Sequence, residues 1–220
     1  MHGVFDIIGP VMIGPSSSHT AGAARLGLIA RKILGEEVAS AEIGLHGSFA
    51  RTYRGHGTDR ALLAGIMGFS AEDERIKAAV DIAKEQNITH RFFSIELANA
   101  HPNTVQISLT GKSGRRSKIV GSSIGGGNIR VTNINGYAVE FTGRYPALVT
   151  VHRDCPGIIT KVTSILVKYK VNIAFMRVSR TSRGAEALMI LETDDVLSEE
   201  LVAECQQVCD VKEAFSIPSI

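Results

Sequence analysis

In the last third of the chain, apolar positions change period in a fixed order. Residues 148–152 alternate as a strand does, and Asp154-Cys155-Pro156-Gly157 then reads as a turn into a helix. Over residues 158–169 the apolar positions are 158, 162, 165, 166 and 169, one face of a helix. Two strands follow, 171–179 and 185–193, parted by the polar run Arg180-Thr181-Ser182-Arg183-Gly184. A helix over 198–208 and a strand over 211–217 close a βαββαβ order, the split βαβ or ferredoxin-like arrangement. Upstream, residues 21–34 predict a helix stopped at Gly35, residues 41–48 a strand, and residues 60–67 a second helix. Residues 73–87 are amphipathic, with Ile76, Ala79, Val80 and Ala83 on one face. Strands follow at 91–97 and 104–109, and Asn135-Gly136 between 129–134 and 137–141 is a two-residue hairpin signal. The pattern changes near 143–148. The expected architecture is therefore a mixed α/β domain over 1–143 and a ferredoxin-like domain over 148–220, an α/β (α+β) chain.

Composition removes several function classes. The chain has 220 residues, 44% apolar, with a net charge of +2, which gives no electrostatic case for nucleic acid. Arg115, Arg116 and Lys118 form a short basic cluster expected in a solvated loop. No apolar run has the length of a membrane span, and the first residues lack the order of a signal peptide, so a cytoplasmic protein is expected. Cys155, Cys205 and Cys209 form no C-x-x-C pair. Cys205 and Cys209, four apart, are expected to share a helix face. An iron–sulfur cluster needs several thiolates at suitable spacings, and three such cysteines do not supply them.

Candidate chemistry concentrates in short polar segments. Gly14-Pro15-Ser16-Ser17-Ser18-His19-Thr20 puts four hydroxyls and an imidazole at the start of the 21–34 helix. A helix start leaves N–H groups unpaired with positive dipole behind them, a receptor for a carboxylate or phosphate with a titratable group in reach. A simple N-cap would account for one of those residues. Gly55-His56-Gly57-Thr58-Asp59 is the second segment: bare backbone flanks His56, Thr58 or Asp59 can cap the next helix, and Asp59 can orient the imidazole. Its alternative is an exposed loop histidine. His19, His46 and His56 all neighbour Ser or Gly at segment boundaries and could line one cleft. Gly125-Gly126-Gly127 can present a backbone nest to an anion or serve as a plain turn.

Two resemblances follow from these residues. Asp154-Cys155-Pro156-Gly157-Ile158-Ile159 with Val171-Asn172-Ile173-Ala174-Phe175-Met176 resembles the ACT domain family, which implies an amino-acid effector at Asp154, Pro156, Gly157, Asn172 and Ile173, or else a pure dimerisation unit. Gly-Pro-Ser-Ser-Ser-His-Thr, His-Gly-Ser, Gly-His-Gly-Thr-Asp and Ile-Gly-Gly-Gly, in this order, resemble the beta part of the iron–sulfur-dependent L-serine dehydratase (L-serine ammonia-lyase) family over nearly the whole chain. That resemblance implies an allosteric-substrate-binding-like first domain and conversion of L-serine to pyruvate and ammonia. It also implies a [4Fe–4S] cluster on a partner alpha chain, not on this chain's cysteines. Combined with the local chemistry, it makes His56 the expected base, with His19 its rival, and Ser16, Ser17, Ser18, Thr20, Gly125 and Gly126 the substrate-binding residues. Self-association through the ACT part is expected. Two other classes remain: a non-catalytic amino-acid sensor, and a hydrolase using Ser17 or Ser18 with His19, disfavoured because adjacent residues rarely reach in-line geometry.

Overall fold

The structure, a computed structural model, describes Met12, Gly14 and residues 16–220; Pro15 of the hydroxyl motif lies outside them. The chain forms two compact units, meeting at Gly136 and Tyr137. The first contains α1 (Ala21–Leu34), β1 (Val38–Leu45), α2 (Gly47–His56) and α3 (Thr58–Ile66). A 3-10 turn, Glu74–Ala78, runs into α4 (Ala79–Glu85), and β2 (Thr89–Ser94), β3 (Thr104–Gly111), β4 (Arg116–Gly125) and β5 (Asn128–Ile134) complete the unit. Across the sheet of this unit the strands run β2-β1-β3-β4-β5, and the Asn135-Gly136 turn leads to β6 (Tyr137–Phe141), the first strand of the second unit. β1 runs parallel to β2 and antiparallel to β3.

Sequence explains where α1 stops. Gly35 takes the left-handed conformation at φ 76°, and its N–H closes on the Arg31 carbonyl at 3.0 Å, the usual glycine C-terminus. Leu26, Ile29, Ile33 and Leu34 are buried. Val105, Ile107 and Leu109 alternate into the same interior from β3. The helices α1 and α3 cross with their backbones touching. A Cβ at Gly27 would lie 2.3 Å from the Leu62 carbonyl oxygen, and one at Gly65 would lie 2.0 Å from that of Ala24. Neither obstacle is a side chain that can swing away.

The second unit contains β6, β7 (Ala147–Arg153), α5 (Ile158–Lys168), β8 (Ile173–Arg180), β9 (Glu186–Thr193), α6 (Glu199–Gln206) and β10 (Val211–Ile217). From β7 onward this is the expected βαββαβ order, and the antiparallel sheet β10-β7-β9-β8 has the split βαβ arrangement. Val162, Ile165 and Leu166 of α5 and Leu201 and Cys205 of α6 pack on Leu148, Met189 and Leu191 of one sheet face. Ser198 caps α6, accepting the Leu201 N–H at 3.2 Å.

Three expectations are corrected. The 47–56 segment is a helix: its composition hides it, because only Phe49 is buried and most of the rest is polar or glycine. Arg116 and Lys118 lie in β4, where strand pairing with β3 outweighs their charge. Cys205 and Cys209 share no helix face, since α6 ends at Gln206; Cys205 is buried and Cys209 exposed.

Substituting Gly65→Ala should lower unfolding free energy by about 1–3 kcal/mol or more, the cost of overpacking. Gly55→Ala, the same change in α2 with open space around it, should raise it by roughly 0.5–1 kcal/mol through lost unfolded-state freedom. Urea titration of the two variants reads both signs.

Candidate functional site

His19 sits in the turn before α1 and is 8% exposed. Its ring lies edge-on to His56, centroids 4.6 Å apart at 81°, and 5.3 Å from the buried Phe49 ring. The helix α2 organises these contacts. Ser48, Thr52 and His56 recur every fourth residue and so share one helix face. Thr52 Oγ1 donates to the Ser48 carbonyl at 2.8 Å, which uses its only proton. Its 3.1 Å contact with His19 Nε2 is therefore made by a lone pair, so Nε2 carries the hydrogen and donates. His19 Nδ1 is left as an acceptor, 3.3 Å from Ser16 Oγ. Burial, and secondly the charge of His56, push the His19 pKa below its ordinary 6.5.

The start of α1 differs from a free N-terminus. The Thr20 N–H is taken by the Ser16 carbonyl at 2.8 Å and the Gly22 N–H by that of Ser17 at 2.9 Å. No side chain caps the helix. The hydroxyls therefore act through other partners: Ser16 meets His19, while Thr20 Oγ1 is buried with no hydrogen-bond partner among the described residues. Ser17 and Ser18 are half-buried beside it.

His56 is exposed and ends α2; it does not stand in a loop, because Gly57, at φ 72°, supplies the left-handed C-terminus and at once begins α3. Neither Thr58 nor Asp59 caps α3: Thr58 Oγ1 is buried and unpartnered, and Asp59 accepts from the Arg60 N–H at 2.9 Å. His56 faces a cleft of about 220 Å³ lined by Gly14, Thr20, Arg54, Gly57, Arg60 and Lys77, among others. Three exposed cations thus surround the imidazole and the Thr20 hydroxyl, a setting that favours a carboxylate. Thr52, Arg54, Arg60 and Lys77 were missed in the sequence; for Thr52 the signal was its spacing of four from His56, legible only once 47–56 is known to be helix, and Arg60 and Lys77 reach the cleft from α3 and the 3-10 turn with no local signal.

His46 does not join the pair. Its Nδ1 lies 3.3 Å from both the Ile95 carbonyl and the Leu97 N–H. Gly125 and Gly126 belong to the β4–β5 turn: Gly125 pairs with Asn128, and Gly126 and Gly127 both have positive φ, 59° and 78°. That is hairpin chemistry, not the alternating geometry of an anion nest. Arg25 holds the turn through the Gly127 carbonyl at 2.7 Å.

In the second unit, Asp154 accepts from the Gly184 N–H at 3.0 Å and Arg180 at 2.9 Å, and these bonds hold its carboxyl below the usual range. Asn172 donates to Asp194 at 2.6 Å, and Ile173 pairs with Thr193. Pro156 and Gly157 are exposed, with Gly157 at φ 86° opening α5. Three of the five expected effector residues are thus engaged by their own neighbours, Asp154 and Asn172 through side chains and Ile173 through strand pairing.

Among the described residues no group of three or more His, Cys, Asp or Glu side chains can hold a metal. Burial pushes the Cys205 thiol up to about 11, and Cys155 and Cys209 both point at Asp210. These side chains do not fit an iron–sulfur cluster.

Residues 3–133 match the family described as serine dehydratase beta chain. The chain is 39% identical to the "L-serine dehydratase, beta chain" of Peptoniphilus asaccharolyticus over 91% of its length and 90% of that protein's. It is 42% identical to the "Probable L-serine dehydratase, beta chain" of Bacillus subtilis, over 97% of each.

The chain belongs to the serine dehydratase beta chain family.

A Synechocystis D-3-phosphoglycerate dehydrogenase is 27% identical over 87% of this serine dehydratase beta chain family member but only 35% of the dehydrogenase. No helix among the described residues is long and apolar enough to cross a membrane.

In this beta chain, Thr52→Val should leave the His19 Nε2–H without its acceptor, costing about 1–3 kcal/mol, and should change the imidazole ¹⁵N pattern from the Nε2–H form; Thr52→Ser should keep both. Acid should also destabilise the fold. With the His19 pKa lowered from 6.5, the native state binds fewer protons than the unfolded chain just below that value, so its contribution is present above 6.5 and lost as pH falls. Buried His152, lowered chiefly by burial, adds to the same slope. Urea midpoints should fall between about pH 7 and pH 5, less steeply in a His19→Gln variant.

Proposed function

We propose that the chain is the beta subunit of a two-chain L-serine dehydratase, supplying carboxylate-binding and proton-transfer groups to a site shared with an alpha chain. The observation that carries this reading is the His19–His56 pair beside Arg54, Arg60 and Lys77. Arg54, Arg60 and Lys77, with the Thr20 hydroxyl, hold the L-serine carboxylate. His56 is the base for the Cα proton: it is exposed to the cleft, whereas both ring nitrogens of His19 already have partners. As His56 takes the proton, the C–H electron pair forms the Cα–Cβ double bond, the Cβ–O bond breaks, and the leaving hydroxyl takes that proton back from the His56 imidazolium to depart as water. The aminoacrylate tautomerises to an imine, and water converts that to pyruvate and ammonia. Buried His19 positions His56 and, kept neutral, spares it a like charge. Lewis acidity toward the hydroxyl belongs in this reading to a [4Fe–4S] cluster on the alpha chain. The second unit takes the ACT role: self-association, and an amino-acid effector near Gly157 and Pro156. Ser17, Ser18, Gly125 and Gly126 keep only supporting parts.

The second reading is a non-catalytic amino-acid-sensing subunit. It is favoured by the likeness of nearly the whole chain to a third of a dehydrogenase, since a region shared with an enzyme named for other chemistry is portable.

Co-expression with a cysteine-rich alpha chain, purified without oxygen, decides between them. L-serine should yield pyruvate only from the mixture, and His56→Ala should lower kcat by roughly 10²–10⁴-fold, the usual worth of a general base. A loaded cluster and stable complex with unchanged turnover in His56→Ala would remove this base and favour the sensor.

A further inference from the structure

Two turns of the second unit carry cysteines and meet at one carboxylate. The first joins β7 to α5 and contains Cys155, half-buried. The second follows α6: the Val211 N–H donates to the Val208 carbonyl at 3.0 Å, so exposed Cys209 and Asp210 are its two central residues. One main-chain bond ties the turns together, from the Arg153 N–H to the Asp210 carbonyl at 2.9 Å. It continues the antiparallel ladder in which Val211 faces His152. A regular strand would send Cys209 and Asp210 to opposite faces. Asp210 instead takes a left-handed φ of 74°, which breaks the alternation.

The side chains converge as a result. Cys155 Sγ donates to Asp210 Oδ2 at 3.8 Å, and Cys209 Sγ donates to the same oxygen at 3.6 Å. Both contacts end on one atom, so the sulfurs stand no further apart than the two distances laid end to end. A change of χ1 well carries a sulfur through about 3 Å, enough from both sides to bring the pair to bonding distance. Burial first, and then the Asp210 charge, push the Cys155 thiol upward, so the carboxylate favours the protonated and slower-reacting form. The third cysteine, Cys205, is buried in the core beneath α6.

We propose that Cys155 and Cys209 are an oxidant-responsive dithiol that closes into a reversible disulfide, with Asp210 as the shared acceptor that slows closure. The oxidant class is a peroxide. The exposed Cys209 sulfur attacks one peroxide oxygen: an S–O bond forms, the O–O bond breaks, and the departing oxygen takes the thiol proton and leaves as water. The Cys155 sulfur then attacks Cys209: the S–S bond forms, the S–O bond breaks, and hydroxide departs as water with the Cys155 proton. The two sulfurs are oxidised and the peroxide is reduced, two electrons in all. The bond fastens the turn that opens α5 to the turn that follows α6, segments far apart in sequence. It rests on neither the lyase reading nor a partner chain.

The test uses the reduced full chain with hydrogen peroxide as the probe. Intact mass should fall by two hydrogens, non-reducing electrophoresis should show no disulfide-joined dimer, and a thiol reductant should restore the original mass. Tryptic mapping should join the 154–161 peptide to the 184–212 peptide, and Cys155→Ser and Cys209→Ser should each abolish the link. Asp210→Asn keeps a residue that tolerates left-handed φ. It should close at least about threefold faster, because the thiolate fraction sets the rate of attack. A link between Cys205 and Cys209, the pair that chain entropy favours once the fold opens, overturns the proposal. So does a link that survives Cys209→Ser, a disulfide-joined dimer, or oxygen added at Cys209 without a link. No link in peroxide that converts free cysteine to cystine overturns it too, as does an unchanged or slower rate in Asp210→Asn.

Discussion

The backbone contact between α1 and α3 is the constraint on which the first unit's site depends. Gly27 and Gly65 let the two helices approach until carbonyl oxygens occupy the space of the missing side chains. His19 and Thr20 stand at the start of α1, and His56 stands two residues before α3, with only Gly57 between. Bringing the helices together therefore brings together groups that are far apart in sequence. Gly57 completes the arrangement, because its left-handed φ ends α2 and begins α3 without a loop between them. The imidazoles are thus placed by main-chain geometry on both sides, a firmer support than side-chain packing would give.

Much of the architecture was legible because it rests on periodicity. The β7–β10 unit was readable element by element, since its helices each bury one face, its strands are β-rich apolar runs and its turns carry clear turn residues. The same was true of α1, where Gly35 marks the end. What escaped was structure held by partners distant in sequence. The helix α2 buries only Phe49, and its first turn is fixed by the Pro102 carbonyl, which accepts from the Ser48 N–H at 2.7 Å. No local pattern announces such a contact. The site followed suit: His19, Thr20 and His56 could be singled out by residue type, but Thr52, Arg54, Arg60 and Lys77 acquire meaning only from the helical surface that displays them. The serine run misled for a related reason, since its backbone carbonyls, not its hydroxyls, satisfy the helix N–H groups.

Each unit keeps polar capacity that its own fold does not use. In the first, Thr20, Thr58 and Ser123 bury hydroxyls that have no partner among the described residues, around the start of α1 and α3 and the adjoining β4. In the second, Glu192 does the same with a carboxyl on the sheet face away from α5 and α6. Native interiors seldom leave such groups unpaired, because each costs about 1–3 kcal/mol or more. Stability alone would favour Val for the threonines and Gln or Leu for Glu192, so a requirement outside folding is the economical explanation.

The two histidines illustrate how environment divides roles between identical side chains. His19 is enclosed by Phe49, Thr52 and Ser16, its tautomer set by a hydroxyl whose own proton is committed to Ser48. Such a group is poorly suited to collect a proton: protonation must reverse the Ser16 hydrogen bond and place charge in a buried site beside a second imidazole. His56 has solvent access, cations nearby and a neutral neighbour. The two imidazoles thus differ in enclosure: His19 is buried with both ring nitrogens engaged, and His56 is exposed at the cleft. The asymmetry comes from one hydrogen-bond chain, Ser48 to Thr52 to His19 to Ser16, and that chain exists because α2 and the turn before α1 are held face to face.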